Sequence, residues 1–305
     1  MSIFKLDPAF KDYIWGGTRL RDEYGKKCDY DKVAESWELS CHKDGPSVVA
    51  DGEYKGLTLN EYIEKAGKGV LGKNCERFEN FPILIKLIDA KDNLSVQVHP
   101  DNDYAMRVEG EYGKTEMWYV VDCDEGATLL YGFKHEITKE EFARRIADNT
   151  LLEVTNAVPV KKGDVFFIKS GTLHAIGKGI LIAEIQQNSN TTYRIYDYGR
   201  VGKDGKPREL HVNKALDVTK LAPAEQYPET PVEKKDGYDI KLLSKCEYFT
   251  TYRVNVETKA ELDADENSFN SILVLEGEPV ISGGETVSAK KGESVFISAG
   301  TGKYT

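Results

Sequence analysis

One segment of this chain is written twice, and that repeat limits what the chain can fold into. KKGDVFFIKSGTLH at 161–174 returns as KKGESVFISAGTGKY at 290–304, and the spacing from Gly163 to Gly171 equals that from Gly292 to Gly300. Each copy reads as a turn, an apolar strand and a second turn, so the chain is expected to hold two related β units. The surrounding pattern agrees. Runs rich in Val, Ile, Tyr and Phe recur between turn signals at 83–88, 94–99, 115–121, 164–169, 180–187 and 192–197. The DAKDN segment at 89–93 reads as a hairpin-like turn between the first two runs. Helical signals are few: one over 57–66, and one opening at Thr138 as N-cap with Glu141 three residues on. Many short strands with two or three helices indicate an all-β sandwich or barrel.

The stretch 222–236, APAEQYPETPVEKKD, is rich in Pro and charge and has no periodicity. It is the best boundary between a first domain, 1–235, and a second, 236–305. The second unit carries Lys303 where the first has His174, so it is expected to be degenerate and to serve by covering an apolar face of the first. The strand pattern is still running at Thr305, and a few native residues are expected beyond it.

A net charge of −10 disfavours non-specific contact with nucleic acid or anionic membrane. No apolar run is long enough to cross a bilayer. The opening MSIFKLDPAFKDY lacks the apolar segment of a secretory signal, so a cytoplasmic protein is expected. The five cysteines are scattered without CxxC spacing, which suits free thiols rather than a disulfide framework or a thiolate metal site. An anionic substrate would need a locally basic site within this acidic chain.

Chemistry concentrates in three places. In Leu94–Pro100, alternation puts Leu94, Val96 and Val98 on one face and Ser95, Gln97 and His99 on the other. In GKTEMW at 113–118, Lys114 and Glu116 share a face. In GTLH at 171–174, Gly171 lets the backbone turn so that His174 faces inward. Two imidazoles, a carboxylate and an amide oxygen form a reasonable shell for a divalent cation, with room left for a substrate oxygen. His42, His135 and His211 sit in polar, turn-like settings without such company.

LSVQVHPD (94–101), GKTEMWYV (113–120), GTLHAIG (171–177) and EIQQNSNTTYRIYDYGR (184–200) together resemble the type I mannose-6-phosphate isomerases of the cupin superfamily. Trp15-Gly16-Gly17 and the AESWE of 34–38 fit the same pattern. The resemblance implies two jelly-roll β-barrels, the second degenerate. It implies one zinc ion per chain, held by Gln97, His99, Glu116 and His174. Arg194 matches the family's catalytic arginine, and Lys114 and Glu184 match charged pocket residues. Lys86, Ser95 and Arg200 fall where the family contacts the sugar or phosphate, and Trp15 where it walls the site. Two departures stand out. About sixty residues separate Glu116 from His174, too few for the helical insertion of the long members, and Asn190 stands where some relatives carry an acid.

The implied reaction interconverts mannose 6-phosphate and fructose 6-phosphate through a cis-enediol. It requires a base, a stabiliser of developing charge and a phosphate clamp. Alternation puts Thr192, Arg194 and Tyr196 on one face, so Arg194 can point inward. Lys114 and Glu184 compete for the role of base. The rivals are a non-catalytic, metal-containing sugar-binding cupin and a two-histidine, one-carboxylate cupin oxygenase; Gln97 and the several cations argue against the latter. Arg194 and Arg200 have a plainer reading as salt-bridge partners of Asp197 or Asp204.

Overall fold

A computed structural model describes residues 2–202 and 204–305. Two mixed-length antiparallel sheets position everything that follows. The first has six strands in the order Val165–Ile168, Glu116–Cys123, Ile180–Gln187, Ile83–Ala90, Glu35–Leu39 and Ala9–Lys11. The second has five, in the order Tyr193–Tyr196, Val96–Val98, His174–Ala175, Thr128–Phe133 and Thr155–Pro159. No sheet among the described residues closes on itself, so the architecture is mostly β with open sheets packed face to face.

The six-stranded sheet is covered on both faces, which explains why ILIKLIDA is buried along its whole length. Its odd-numbered residues (Ile85, Leu87, Met117, Tyr119, Ala183) pack into the largest apolar cluster. Its even-numbered residues Ile88, Val120 and Ile182 join a second cluster, and on that same face Lys86, Glu184 and Trp118 follow in one rung. A strand buried on both faces cannot show polar alternation, so the one lysine in its middle becomes the informative residue. The five-stranded sheet turns Val96, Val98, Ala175, Tyr193 and Ile195 toward a third cluster, capped by the helices Lys139–Ala147 and Val212–Val218.

Several sequence expectations hold in detail. Thr138 caps its helix by accepting from the Glu141 amide at 3.1 Å, and Thr58 forms a full capping box with Glu61 ahead of Leu59–Ala66. Helices at Arg19–Asp22, Asn102–Val108 and Val212–Val218 were not legible in the pattern. The repeat is structural. Gly163, Gly171, Gly292 and Gly300 all adopt positive φ, at 93°, 84°, 88° and 77°. Asp164 and Glu293 close equivalent turns onto the carbonyls of Lys161 and Lys290, at 3.1 and 2.9 Å.

The hairpin expected at 89–93 does not form. Strand 83–90 pairs with 180–187 and 35–39, whereas 96–98 pairs with 174–175 and 193–196. The intervening turn carries the chain from one sheet to the other, and Leu94 consequently packs with Trp15 and not with Val96 and Val98. The segment 222–236 is also not all linker: Val232–Lys235 forms a strand against Tyr238–Lys245. The N-terminal strand Ile3–Asp7 pairs with Ser294–Ile297, stitching the first residues of the chain to the second copy of the repeat.

Candidate metal and sugar-phosphate site

Two ladder rungs face one another between the sheets. On the five-stranded sheet, Arg194, Gln97 and His174 stand opposite one another across three neighbouring strands. On the six-stranded sheet, Trp37, Lys86, Glu184 and Trp118 do the same across four. Glu116, at the start of its strand, reaches across the gap. Its Oε1 lies 3.3 Å from His174 Nε2 and its Oε2 lies 3.6 Å from His99 Nε2.

The histidine tautomers follow from their outer partners. His99 Nδ1 donates to the Thr191 carbonyl at 2.9 Å, and His174 Nδ1 donates to the Thr172 carbonyl at 2.8 Å. A carbonyl only accepts, so each Nδ1 holds the proton and each Nε2 lone pair points at Glu116. Burial drives both imidazoles toward the neutral form: His174 is held at about 4 and His99 well below the ordinary value. Burial also pushes the Glu116 carboxyl up, against the pull of Lys114.

These residues fit a divalent cation. One ligand atom from each of His99, Glu116 and His174 falls within 4.8 Å of the others, and all three residues are buried. Neither Glu116 oxygen accepts an aligned hydrogen bond, although Lys114 Nζ stands 2.8 Å from Oε2. A fully buried carboxylate without an aligned hydrogen bond, beside two imidazoles whose Nε2 atoms carry no proton, is a ligand set suited to a cation. Gln97 Nε2 lies 3.3 Å from His174 Nε2, and exchanging the amide's O and N turns its oxygen toward the same point. Gln97 and His99, two residues apart, both turn toward this group. The second copy of the repeat offers exposed Lys303 instead.

A line of alternating charges runs outward from this centre. Lys114 Nζ is 3.2 Å from His99 Nε2 and 3.8 Å from Glu184 Oε1. Lys86 Nζ lies 3.4 Å from Glu184 and 3.5 Å from Glu35, with its charge over the Trp37 ring at 5.0 Å. Burial opposes ionisation of Glu184, but Lys114, Lys86 and the Trp118 indole, which donates to it at 2.7 Å, outweigh that and hold its carboxyl below the ordinary range. Burial likewise opposes the Lys86 charge, yet Glu35 and Glu184 keep it raised.

The chain matches two family models: residues 3–126 the phosphomannose isomerase type I catalytic domain, and residues 239–305 the mannose-6-phosphate isomerase cupin domain. It is 40% identical over 299 residues to mannose-6-phosphate isomerase ManA of Bacillus subtilis, covering 97% of this chain and 93% of that one. The chain belongs to the type I mannose-6-phosphate isomerase family. The Streptococcus mutans mannose-6-phosphate isomerase is also 40% identical, over 93% of this chain and 88% of its own. Among solved structures, the Bacillus subtilis mannose 6-phosphate isomerase superposes with a TM-score of 0.94 at 38% identity, covering 100% of this chain and 96% of that one. A zinc-bound mannose 6-phosphate isomerase shares the fold at a TM-score of 0.74 and 18% identity.

The remaining family-matched residues are placed as follows. Ser95 is buried, with its hydroxyl 3.4 Å from the Gln97 side-chain amide. Trp15 is 4% exposed, packed beside Tyr13 at 5.6 Å within the second apolar cluster. Arg194 Nη1 donates to the Glu209 carbonyl at 2.9 Å, while its Nε is buried without a partner. A bulge between Arg194 and Tyr196 interrupts the simple alternation expected there. Arg200 does pair with Asp197, at 2.5 Å. Asn190 donates to Asp44 at 2.9 Å, so an acid at that position would face a like charge here. Glu35 and Trp37, which flank Lys86, went unread in the sequence as site residues; both lay only within a matching motif.

Proposed function

We propose that this chain is a zinc-dependent isomerase that interconverts mannose 6-phosphate and fructose 6-phosphate. The observation that carries the reading is the buried His99–Glu116–His174 group joined to an unbroken line of cations and carboxylates, Lys114, Glu184, Lys86 and Glu35. Gln97 completes the shell for one zinc ion per chain. A cation held there supplies Lewis-acid stabilisation to negative charge developing on the sugar oxygens at C1 and C2.

The chain's own groups then divide the work. Glu184, kept ionised between two ammonium groups, is the proton acceptor at the C1–C2 unit, and Lys114 is the matching donor. Arg194, a permanent cation with a free buried N–H, takes the sugar phosphate or the developing oxyanion. Lys86, Ser95 and Arg200 contact sugar and phosphate, and Trp15 backs the wall from the core. We assign residues 1–235 as the catalytic cupin unit and 236–305 as a degenerate copy, with jelly-roll barrels as the underlying plan, and a cytoplasmic setting for a metabolic reaction. The buried lysines beside the metal group favour an anionic substrate over the oxygenase alternative.

A coupled assay of mannose 6-phosphate conversion tests this on protein as purified, after chelation and after zinc is restored. Activity should vanish with chelator and return with zinc. Lys114→Ala and Arg194→Ala should each lower kcat/KM by about 10²–10⁴-fold. Zinc-loaded protein with no turnover would leave the metal site standing and sink the isomerase reading, pointing to the sugar-binding alternative.

A further inference from the structure

Past the strand of Arg194, two guanidinium groups close on one carboxylate and a third stands beside them. Asp197 is 6% exposed. Arg208 grips it in a fork, Nε to Oδ2 at 2.8 Å and Nη2 to Oδ1 at 2.6 Å. Arg200 adds Nη2 to Oδ1 at 2.5 Å, donates to the Asn93 carbonyl, and lies over the Tyr198 ring at 5.2 Å. Tyr198 itself holds a left-handed backbone, φ 56°, which is costly for a bulky side chain and recurs at ligand clamps.

Arg194 completes the group. It stands opposite Gln97 in the ladder and donates to the carbonyl of Glu209, the residue after Arg208, at 2.9 Å. The Glu209 carboxylate, 82% exposed, is too well solvated to offset the guanidinium charges. Among the described residues, three guanidiniums thus gather near one buried carboxylate in a chain whose net charge is −10. Like charges held this way cost stability unless an anion joins them.

We infer that Asp197 is a positioning residue and Arg208 an anion ligand: Asp197 gathers Arg208 and Arg200 beside Arg194 into a cradle for a phosphate dianion. That the anion is the 6-phosphate of the sugar rests on the isomerase reading; the cradle itself does not. Asp197 is the discriminating residue. If it merely neutralised charge, removing it would tighten phosphate binding. As a positioning group, its loss releases two arginines and weakens binding.

The test uses the zinc-loaded full chain and inorganic phosphate, measured by calorimetry and as a competitive inhibitor. Arg208→Gln should weaken phosphate about 10- to 100-fold, the worth of one charge-assisted contact. Asp197→Asn should weaken it in the same direction, and Arg208→Lys should fall between, keeping the charge but losing the fork. In turnover, the loss should fall on KM for the sugar phosphate more than on kcat. Phosphate affinity unchanged in Arg208→Gln, or tightened in Asp197→Asn, overturns the proposal. So does a lowered melting temperature with KM and phosphate affinity intact, which would make the cluster a loop brace. If Arg208→Gln does not fold, Arg208→Lys carries the test. Phosphate binding needs no turnover, so a cradle that behaves as stated in a protein without isomerase activity would refute only the isomerase reading.

Discussion

Replacing Lys26 by Met should destabilise this protein by an amount that its surroundings set. Lys26 and Glu38 are 6% and 0% exposed, and Lys26 Nζ lies 2.5 Å from Glu38 Oε1. The Ser36 hydroxyl donates to that same oxygen at 2.6 Å, while Oε2 has no hydrogen-bond partner. Lys26 also donates to the Gly292 carbonyl, and Ser294 donates to the Glu38 carbonyl at 3.0 Å, so the pair ties strand 35–39 to the second copy of the repeat. Lys26→Met leaves a fully buried carboxylate with one hydroxyl for company, a change worth about 3–5 kcal/mol. The lost bond to Gly292 adds about 1 kcal/mol. Against a typical total of about 5–15 kcal/mol, that is a large fraction. The double variant Lys26→Met/Glu38→Gln removes both charges and should recover most of the loss, since a buried pair as a unit contributes little net stability. Urea unfolding followed by tryptophan fluorescence reads both, with Trp37 adjacent to Glu38 as a local reporter. A single variant within about 1 kcal/mol of the parent, or a double variant as unstable as the single, would refute the reasoning.

Other consequences are equally open to measurement. Because burial keeps His174 neutral down to about 4, the unfolded chain binds more protons than the native one between there and the ordinary histidine value. Stability of metal-free protein should therefore fall as the pH drops through that window, and His174→Gln should flatten the melting-temperature profile by roughly one proton's worth; an unchanged slope would count against it. Gly171→Ala should loosen the turn that aims His174, since φ is 84° and a Cβ would meet the Val218 carbonyl at 2.8 Å; zinc content after dialysis should drop, and full retention would show the turn to be tolerant. A chain ending at residue 235 should lose solubility and activity, because strand 3–7 would lose its partner 294–297 and Phe4 its stacking on Phe296. A soluble, fully active product would show that the second unit is dispensable.

The parity of Gln97 and His99 was legible because side chains in a strand alternate faces regardless of what the strand pairs with. The same holds for the glycines of the repeat, whose positive φ is a local steric requirement, and for the Thr138 cap, which spans three residues. These features are fixed by neighbours within one turn or one pleat. The wrong hairpin at 89–93 marks the limit of such signals: two adjacent apolar runs with a turn between them look alike whether they pair or part into different sheets. Which strand lies beside which is decided by burying apolar faces across large sequence separations. That decision alone brings Glu116 to His174, Lys86 between Glu35 and Glu184, and Ile3–Asp7 against Ser294–Ile297. Arg208 is the extreme case: nothing near it in the chain distinguishes it from a solvated arginine, and only its fork onto Asp197 gives its charge a fixed place near Arg194. The amino-acid order by itself determined which side chains could share a face; the tertiary structure decided which faces meet, because contacts between distant segments depend on total burial and not on any local pattern.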